Sequence, residues 1–196
     1  MQKLIFATNN QHKIDEIRSI PGIGYEIIGL KEAGIDVDIP EPYDTLEENA
    51  TEKSSVIYKL TGHNCFSEDT GLEVEALNGE PGVKSARYAG ESKSFEQNIE
   101  KLLFNLKGIL NRNAHFRAVL SLILNGIEYK FEGICKGIIL ADKKGEGGFG
   151  YDPVFQPLGA KKTFAEMDMN EKNEYSHRKK AMDKLVEFLH NYKSDI

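Results

Sequence analysis

This sequence has few cysteines, no long apolar run and no excess of positive charge. These absences argue against a disulfide framework, a membrane span and a nucleic-acid polymer as partner. The two cysteines, Cys65 and Cys135, each sit in an apolar setting typical of a strand, which favours reduced core thiols over a disulfide or a metal site. The opening apolar run, Leu4 to Ala7, is too short for a signal peptide, and no stretch approaches the length of a membrane span. We therefore expect a cytoplasmic protein with no membrane partner.

The charge balance narrows the class of ligand. A formal net charge of -6 argues against a nucleic-acid polymer, because such binding needs a basic face. A small anion can still be bound locally, and Mg²⁺ is then expected to offset the repulsion. The length of 196 residues, with 40% hydrophobic and 29% charged residues, is typical of a globular protein with a sizeable core.

Apolar periodicity predicts an α/β fold. A strong hairpin signal, Asn125-Gly126, lies between the predicted strands 114–124 and 127–140, and two earlier strands alternate with helices. A long hairpin among α/β units predicts a mixed β-sheet flanked by helices. We expect one domain, residues 1–196, with an elongated two-lobed fold around a central cleft. The other predicted elements are strands at 4–7 and 25–30, a helix containing Ile14 and Ile17 after the polar turn 8–13, and helices beginning near Thr45, Ser94 and Ser176.

The stretch from Ser67 to Leu72 has the strongest chemical character. Glu68 and Asp69 follow the apolar pair 65–66, and Gly71 would allow a sharp exit from a short strand. Adjacent side chains on an extended chain point to opposite faces, so one carboxylate could hold a metal or water while the other serves a second ion. The alternative is an ordinary acidic turn at a strand end.

Lys13 and Lys53 can each be interpreted either as a ligand of phosphate or a polar cleft, or as an ordinary surface lysine. Lys13 follows a polar turn at a helix start, where free backbone N–H groups can cradle a phosphate; alternatively Asn10 caps the helix and Lys13 is solvated. Lys53 lies on a helical stripe with Leu46, Ala50, Ile57 and Leu60. There it either snorkels to the surface or reaches a polar cleft.

Residues 145–153 are rich in glycine but lack the spacing of a P-loop or a dinucleotide fingerprint. A flexible surface loop would explain the glycines. It would not explain Phe149 and Tyr151, whose rings are well suited to stacking on a nucleobase. His177 and Arg178 follow a capping Ser176 and are expected to point hydrogen-bond donors outward from the helix N-terminus, unless they form an ordinary solvated basic run.

Taken together, five ordered motifs resemble the inosine triphosphate pyrophosphatase family, whose members hydrolyse non-standard purine nucleoside triphosphates. The resemblance covers nearly the whole chain. Its motifs are Thr8-x-Asn10-x-x-Lys13, Glu48-Asn49-Ala50-x-x-Lys53, Ser67 to Leu72 continuing through Pro81-Gly82-x-x-Ser85-Ala86-Arg87-Tyr88, Gly147 to Pro153, and Lys172 with Ser176-His177-Arg178.

The resemblance implies a role for each matching residue. Asp69 would be the general base, with Lys13 and Lys53 countering the triphosphate charge, and a homodimer is the usual assembly. The implied Mg²⁺ ligands are Glu41, Glu68 and Asp69. The implied substrate contacts are Thr8, Asn9, Asn10, Gln11, His12 and Lys13 for the triphosphate, Thr70 in place of a family serine, and Phe149, Gly150, Tyr151, Asp152, Lys172, His177 and Arg178 for the base.

Two positions depart from the family pattern. Glu68 stands where Asp is usual and Thr70 where Ser is usual, and both changes preserve chemical type. Two other functions stay open from the residues: a pyrophosphatase for pyrimidine or modified nucleotides, and a nucleotide-binding regulator without catalysis. The retained carboxylates and lysines disfavour the regulator.

Overall fold

A computed structural model describes residues 2–194 and confirms a mixed α/β fold. The strands are β1 (Gln2–Phe6), β2 (Tyr25–Gly29), β3 (Cys65–Val74), β4 (Pro81–Gly82), β5 (Asn113–Leu124), β6 (Ile127–Ile139) and β7 (Phe155–Pro157). The α-helices are α1 (Gln11–Arg18), α2 (Leu46–Thr61), α3 (Phe95–Asn105), α4 (Met169–Tyr175) and α5 (His177–Ser194). Short 3-10 turns lie at Glu75–Leu77, Ser85–Arg87 and Phe164–Glu166.

The strands form one seven-stranded sheet in the order β2-β1-β3-β5-β6-β7, with β4 paired to β3. β1 pairs in parallel with β2 and β3, whereas β3–β4 and β6–β7 are antiparallel. Asn125 and Gly126, both at positive φ, form the predicted hairpin turn between β5 and β6. The prediction of a mixed sheet is therefore confirmed.

The chain divides into two compact units, each with its own core. The first unit comprises residues 1–69, 118–133 and 178–196, and the second comprises residues 70–117 and 134–177. In the first, Phe6 stacks on Phe66 with ring centroids 4.5 Å apart, among buried residues of α1 and α5. In the second, Phe116 meets Phe155 edge to face at 4.7 Å beside the buried face of α3.

Two sequence predictions about local structure were wrong. β3 does not end at the acidic residues but continues through them to Val74, so Glu68 and Asp69 lie inside the strand and neither at its tip nor in a turn. Leu60 is 62% exposed and does not share the buried face of α2.

None of the helices in residues 2–194 combines the length and apolarity that a membrane span needs.

Gly71 serves close packing within the sheet, and the predicted sharp exit at this position was wrong. A Cβ added to Gly71 would lie 2.6 Å from the carbonyl oxygen of Gly82, on the partner strand β4. We expect Gly71→Ala to lower the free energy of unfolding by about 1–3 kcal/mol, the usual effect of overpacking, because two backbones must separate. Thermal unfolding measures this, and an unchanged midpoint would show that β4 moves away without cost.

Candidate active site

The acidic stretch of β3 is buried in the first unit and bonded to cations. Lys53, on the inward face of α2, places Nζ 2.8 Å from Oδ1 of Asp69 and 2.8 Å from Oε1 of Glu41. Only 6% of Lys53 and 6% of Asp69 is exposed, so this is a buried ionic bridge. The snorkelling interpretation of Lys53 is therefore wrong, because its ammonium faces inward to two carboxylates.

Burial and charge act in opposite directions on this bridge. Burial alone lowers the pKa of Lys53, but Asp69 and Glu41 outweigh it and hold that pKa above its ordinary value. Burial raises the pKa of the Asp69 carboxyl, against the lowering effects of Lys53 and Lys13. Lys53 therefore stays cationic, and Asp69 is a stronger base than a solvated aspartate.

Glu68 is held by a different set of cations. Arg178, at the start of α5, donates from Nε to Oε2 of Glu68 at 2.6 Å and from Nη2 to Oε1 at 2.8 Å, a two-pronged contact. Lys13 Nζ lies 3.5 Å from Oε1 of the same carboxylate. A third contact joins Nη1 of Arg178 to Glu16 on α1. All three side chains are buried: Glu16 is 5% exposed, and Glu68 and Arg178 are each 2% exposed.

The predicted turn before α1 is an N-cap as well as a candidate phosphate site. Asn10 accepts a hydrogen bond from the backbone N–H of Lys13 at 3.3 Å, as an N-cap does, and Thr8 Oγ1 accepts from the Asn10 N–H at 3.1 Å. Lys13 is not simply solvated, because it approaches Glu68. Gln11 and His12 are exposed at the helix start, and the exposed Asn9 donates to the Val37 carbonyl at 3.3 Å.

Asn49 has a positioning role that the sequence reasoning missed. Its buried side chain accepts from the backbone N–H of Tyr43 and donates to the carbonyl of Tyr43, each at 3.0 Å. This pair of bonds fixes the segment that leads from Glu41 into α2. In the sequence Asn49 stands out only within the motif Glu48-Asn49-Ala50, and the available signal was its helical spacing from Lys53.

The chemistry of the carboxylates fits Mg²⁺. Glu41, Glu68 and Asp69 offer only oxygen donors, which this ion prefers, and Mg²⁺ commonly uses one or two carboxylates together with substrate phosphates. Among residues 2–194, no three His, Cys, Asp or Glu side chains converge as a ready-made metal cluster. A Mg²⁺ site that takes one or two of these carboxylates as ligands and phosphate oxygens of a nucleotide as the others is compatible with this arrangement.

The second unit holds the other predicted substrate residues. Lys172 Nζ is 2.7 Å from Oδ2 of Asp152 and lies over the rings of Phe149 and Phe164, at 5.3 and 5.1 Å from their centroids. Oδ2 of Asp152 also accepts from the backbone N–H of Phe149 at 2.9 Å. Asp152 therefore ties the glycine-rich segment to Lys172 and leaves the Phe149 ring half-buried beside a cation. Gly150 in the same segment has φ of 61°, and Thr70 is half-buried in β3.

Three residues of the predicted base site are placed differently from expectation. Tyr151 is a core residue, 4% exposed, whose hydroxyl donates to the Ser85 carbonyl at 2.8 Å, so the expectation that its ring stacks on a base was wrong. His177 is buried and stacks on Phe116 at 4.8 Å. Arg178 is buried against carboxylates of the first unit. The expectation that His177 and Arg178 point donors outward was therefore also wrong.

This geometry can be compared with known proteins. A family model described as the Ham1 family matches residues 4–188. The chain belongs to the Ham1 family.

Curated relatives and solved structures of the Ham1 family agree over nearly the full length. The chain is 50% identical over 190 residues to a protein of Porphyromonas gingivalis named dITP/XTP pyrophosphatase, covering 96% of this chain and 98% of that protein. A protein of the same name from Flavobacterium johnsoniae is 48% identical over 187 residues, covering 95% and 97%. The Ham1 protein of Staphylococcus aureus superposes with a TM-score of 0.87 at 42% identity, covering 97% of this chain and 100% of that one. These findings confirm the resemblance that the motifs indicated.

Proposed function

We propose that this chain hydrolyses non-standard purine nucleoside triphosphates, those of inosine, deoxyinosine and xanthosine, to the nucleoside monophosphate and pyrophosphate. The supporting observation is the buried Asp69, which Lys53 holds at 2.8 Å, in a chain whose relatives are named dITP/XTP pyrophosphatases. The test is incubation with inosine triphosphate and Mg²⁺ followed by separate measurement of pyrophosphate and orthophosphate. Release of orthophosphate alone would contradict the proposal.

Asp69 is the proposed general base. Its carboxylate accepts a proton from water as the water oxygen forms a bond to the α-phosphorus. The bond from the α-phosphorus to the bridging oxygen breaks, and pyrophosphate leaves with the electron pair. Lys13 and Lys53 offset the charge that spreads over the phosphate oxygens, which is the main contribution a protein makes to this chemistry.

Mg²⁺ is part of the proposal. Glu41, Glu68 and Asp69 would hold it, in combinations completed by phosphate oxygens. When bound, the ion neutralises triphosphate charge and orients the phosphates. In this proposal Lys53 and Mg²⁺ compete for the carboxylate oxygens of Glu41 and Asp69. Lys53 therefore has to exchange its contacts with these carboxylates for contacts with phosphate when Mg²⁺ binds.

The base is proposed to bind residues of the second unit. The half-buried ring of Phe149 offers a stacking face, and the neighbouring Lys172 has donors but no acceptor. Such donors favour the oxo groups of hypoxanthine and xanthine over the 6-amino group of adenine. Arg178 belongs to the first unit, and all three of its nitrogens bond Glu68 or Glu16. Lys172 belongs to the same unit as Phe149, so we assign this preference to Lys172 and not to Arg178.

Phe149→Leu is expected to raise KM for inosine triphosphate by roughly 5- to 150-fold, since stacking of a base on an aromatic ring contributes about 1–3 kcal/mol. The value of kcat should change much less, because the phosphates are bound elsewhere. Phe104→Leu is the matched control, since Phe104 is 76% exposed on α3. Steady-state kinetics measure both, and an unchanged KM in Phe149→Leu would remove Phe149 from the base site.

We also propose a homodimer that acts in the cytoplasm, and both statements derive from the family resemblance. Size-exclusion chromatography with light scattering tests the first. A mass of twice one chain is expected, and a mass of one chain at micromolar concentration would contradict it.

A further inference from the structure

Glu16 is a buried charge on a helix that otherwise buries apolar residues. The buried side chains of α1 are Ile14, Glu16 and Ile17, and Glu16 is only 5% exposed. A carboxylate at such a position costs free energy unless it is paired. Its partner is Nη1 of Arg178.

The guanidinium of Arg178 links Glu16 to Glu68. Two of its nitrogens, Nε and Nη2, bond both oxygens of Glu68, and the third, Nη1, bonds Glu16. Burial alone lowers the pKa of Arg178, but Glu68 and Glu16 outweigh it and raise that pKa. Because all three nitrogens are bonded, the hydrogen bonds to Glu68 and Glu16 fix the orientation of the guanidinium, which in turn orients the Glu68 carboxylate.

Charge balance gives Glu16 a second effect on Glu68. Lys13 and Arg178 both approach Glu68, so two cations face one carboxylate of the proposed Mg²⁺ site. Without Glu16, the remaining three residues, Lys13, Arg178 and Glu68, would carry a net positive charge. Glu16 brings the four residues to a net charge of zero, so the site repels a divalent cation less than it would without Glu16.

We infer that Glu16 is a positioning residue that acts through Arg178 to orient Glu68 and to set the affinity of the site for a divalent cation. The inference rests on the proposed function, because Glu68 matters only if it binds the metal. Glu16 touches neither substrate nor metal in this account. Neither the motifs nor the resemblance gave Glu16 a role.

The test is metal binding to the protein without nucleotide. Mn²⁺ is the probe, because the electron paramagnetic resonance signal of the free ion reports the bound fraction. Glu16→Gln keeps the shape and an acceptor for Arg178 but removes the charge. Partners that hold a metal ligand in place typically contribute 10- to 100-fold in metal affinity, so we expect the dissociation constant for Mn²⁺ to rise by about 10-fold or more.

Glu128→Gln is the matched control. It removes the same charge from the same unit at a carboxylate that accepts from Thr51 and Ser121, both at 2.7 Å. It should bind Mn²⁺ as the parent does. In turnover assays Glu16→Gln should need more Mg²⁺ for half-maximal rate, with KM for nucleotide at saturating Mg²⁺ little changed.

A purely structural Glu16 gives a different result. In that case Glu16→Gln would lower the melting temperature and leave Mn²⁺ affinity unchanged, which would overturn the inference. If Glu16→Gln does not fold, Glu16→Asp replaces it, because a shorter side chain keeps the charge but retracts from Arg178. Weaker Mn²⁺ binding by Glu16→Asp supports the inference, and parent affinity overturns it. A parent protein that releases no pyrophosphate from inosine triphosphate counts against the proposed function instead.

Discussion

Replacing Asp69 with asparagine is expected to lower kcat by roughly 10² or more, the usual scale for loss of a general base. Asparagine keeps the shape of the side chain, and its carbonyl oxygen can still accept from Lys53 Nζ, now 2.8 Å from Asp69 Oδ1. Folding should therefore be nearly intact while the basic oxygen is lost. Single-turnover and steady-state rates with inosine triphosphate at saturating Mg²⁺ measure the effect.

The control for this change is Asp183→Asn. Asp183 is an exposed residue of α5 that pairs with Lys179, so the same chemical change there should leave kcat at the parent value. A folded Asp69→Asn protein that turns over at the parent rate would remove Asp69 from the role of base.

Lys53→Met is expected to have two effects of opposite direction. The first is a loss of kcat/KM of roughly 10²- to 10³-fold, the scale observed when a group that stabilises transition-state charge is removed. The second is tighter binding of Mg²⁺ by the nucleotide-free protein. Glu41 and Asp69 lose the ammonium that bridges them, and a divalent cation can then offset the buried Asp69 together with the half-buried Glu41.

Thermal unfolding separates these effects from simple misfolding. Removing one partner of a buried ionic contact costs about 3–5 kcal/mol, so Lys53→Met should melt well below the parent. Added Mg²⁺ should raise its melting temperature more than it raises that of the parent. Lys130→Met, at a half-exposed lysine beside Glu128, should change neither stability nor kinetics appreciably. Parent-like kinetics and stability in Lys53→Met would mean that the bridge has no function.

Local sequence patterns correctly predicted the turns and helix starts that depend only on neighbouring residues. Asn125-Gly126 forms the hairpin because both residues tolerate the positive φ of a tight turn, and Thr45 begins α2 because its hydroxyl accepts from the Glu48 N–H. The long hairpin among alternating strands and helices was sufficient to predict the mixed sheet.

The acidic strand could not be predicted locally. Ser67, Asp69, Thr70 and Gly71 are residues that favour turns, so local propensity predicted a short strand with Glu68 and Asp69 at its tip or in a turn. In the structure the charges of Glu68 and Asp69 are offset by Arg178 and Lys53, which lie far away in the sequence, and this allows burial within a strand. Tertiary partners of this kind leave no periodic signal.

The same limit applies to Arg178 and Tyr151. A basic residue at a helix start looks like an outward donor, and only the positions of Glu16 and Glu68 show that it faces inward. Tyr151 lies among glycines, which suggested an open loop, but its ring packs in the core of the second unit. Motif order identified the family, whereas the direction of each side chain required the fold.

The most direct test of the central claim follows the oxygen atom of the attacking water. Inosine triphosphate is hydrolysed with Mg²⁺ in water enriched in oxygen-18, and both products are analysed by mass spectrometry. Attack at the α-phosphorus, with Asp69 as base, predicts one labelled oxygen in inosine monophosphate and none in pyrophosphate. Label in pyrophosphate or in orthophosphate, with unlabelled inosine monophosphate or diphosphate, would place the attack at another phosphorus and contradict the account.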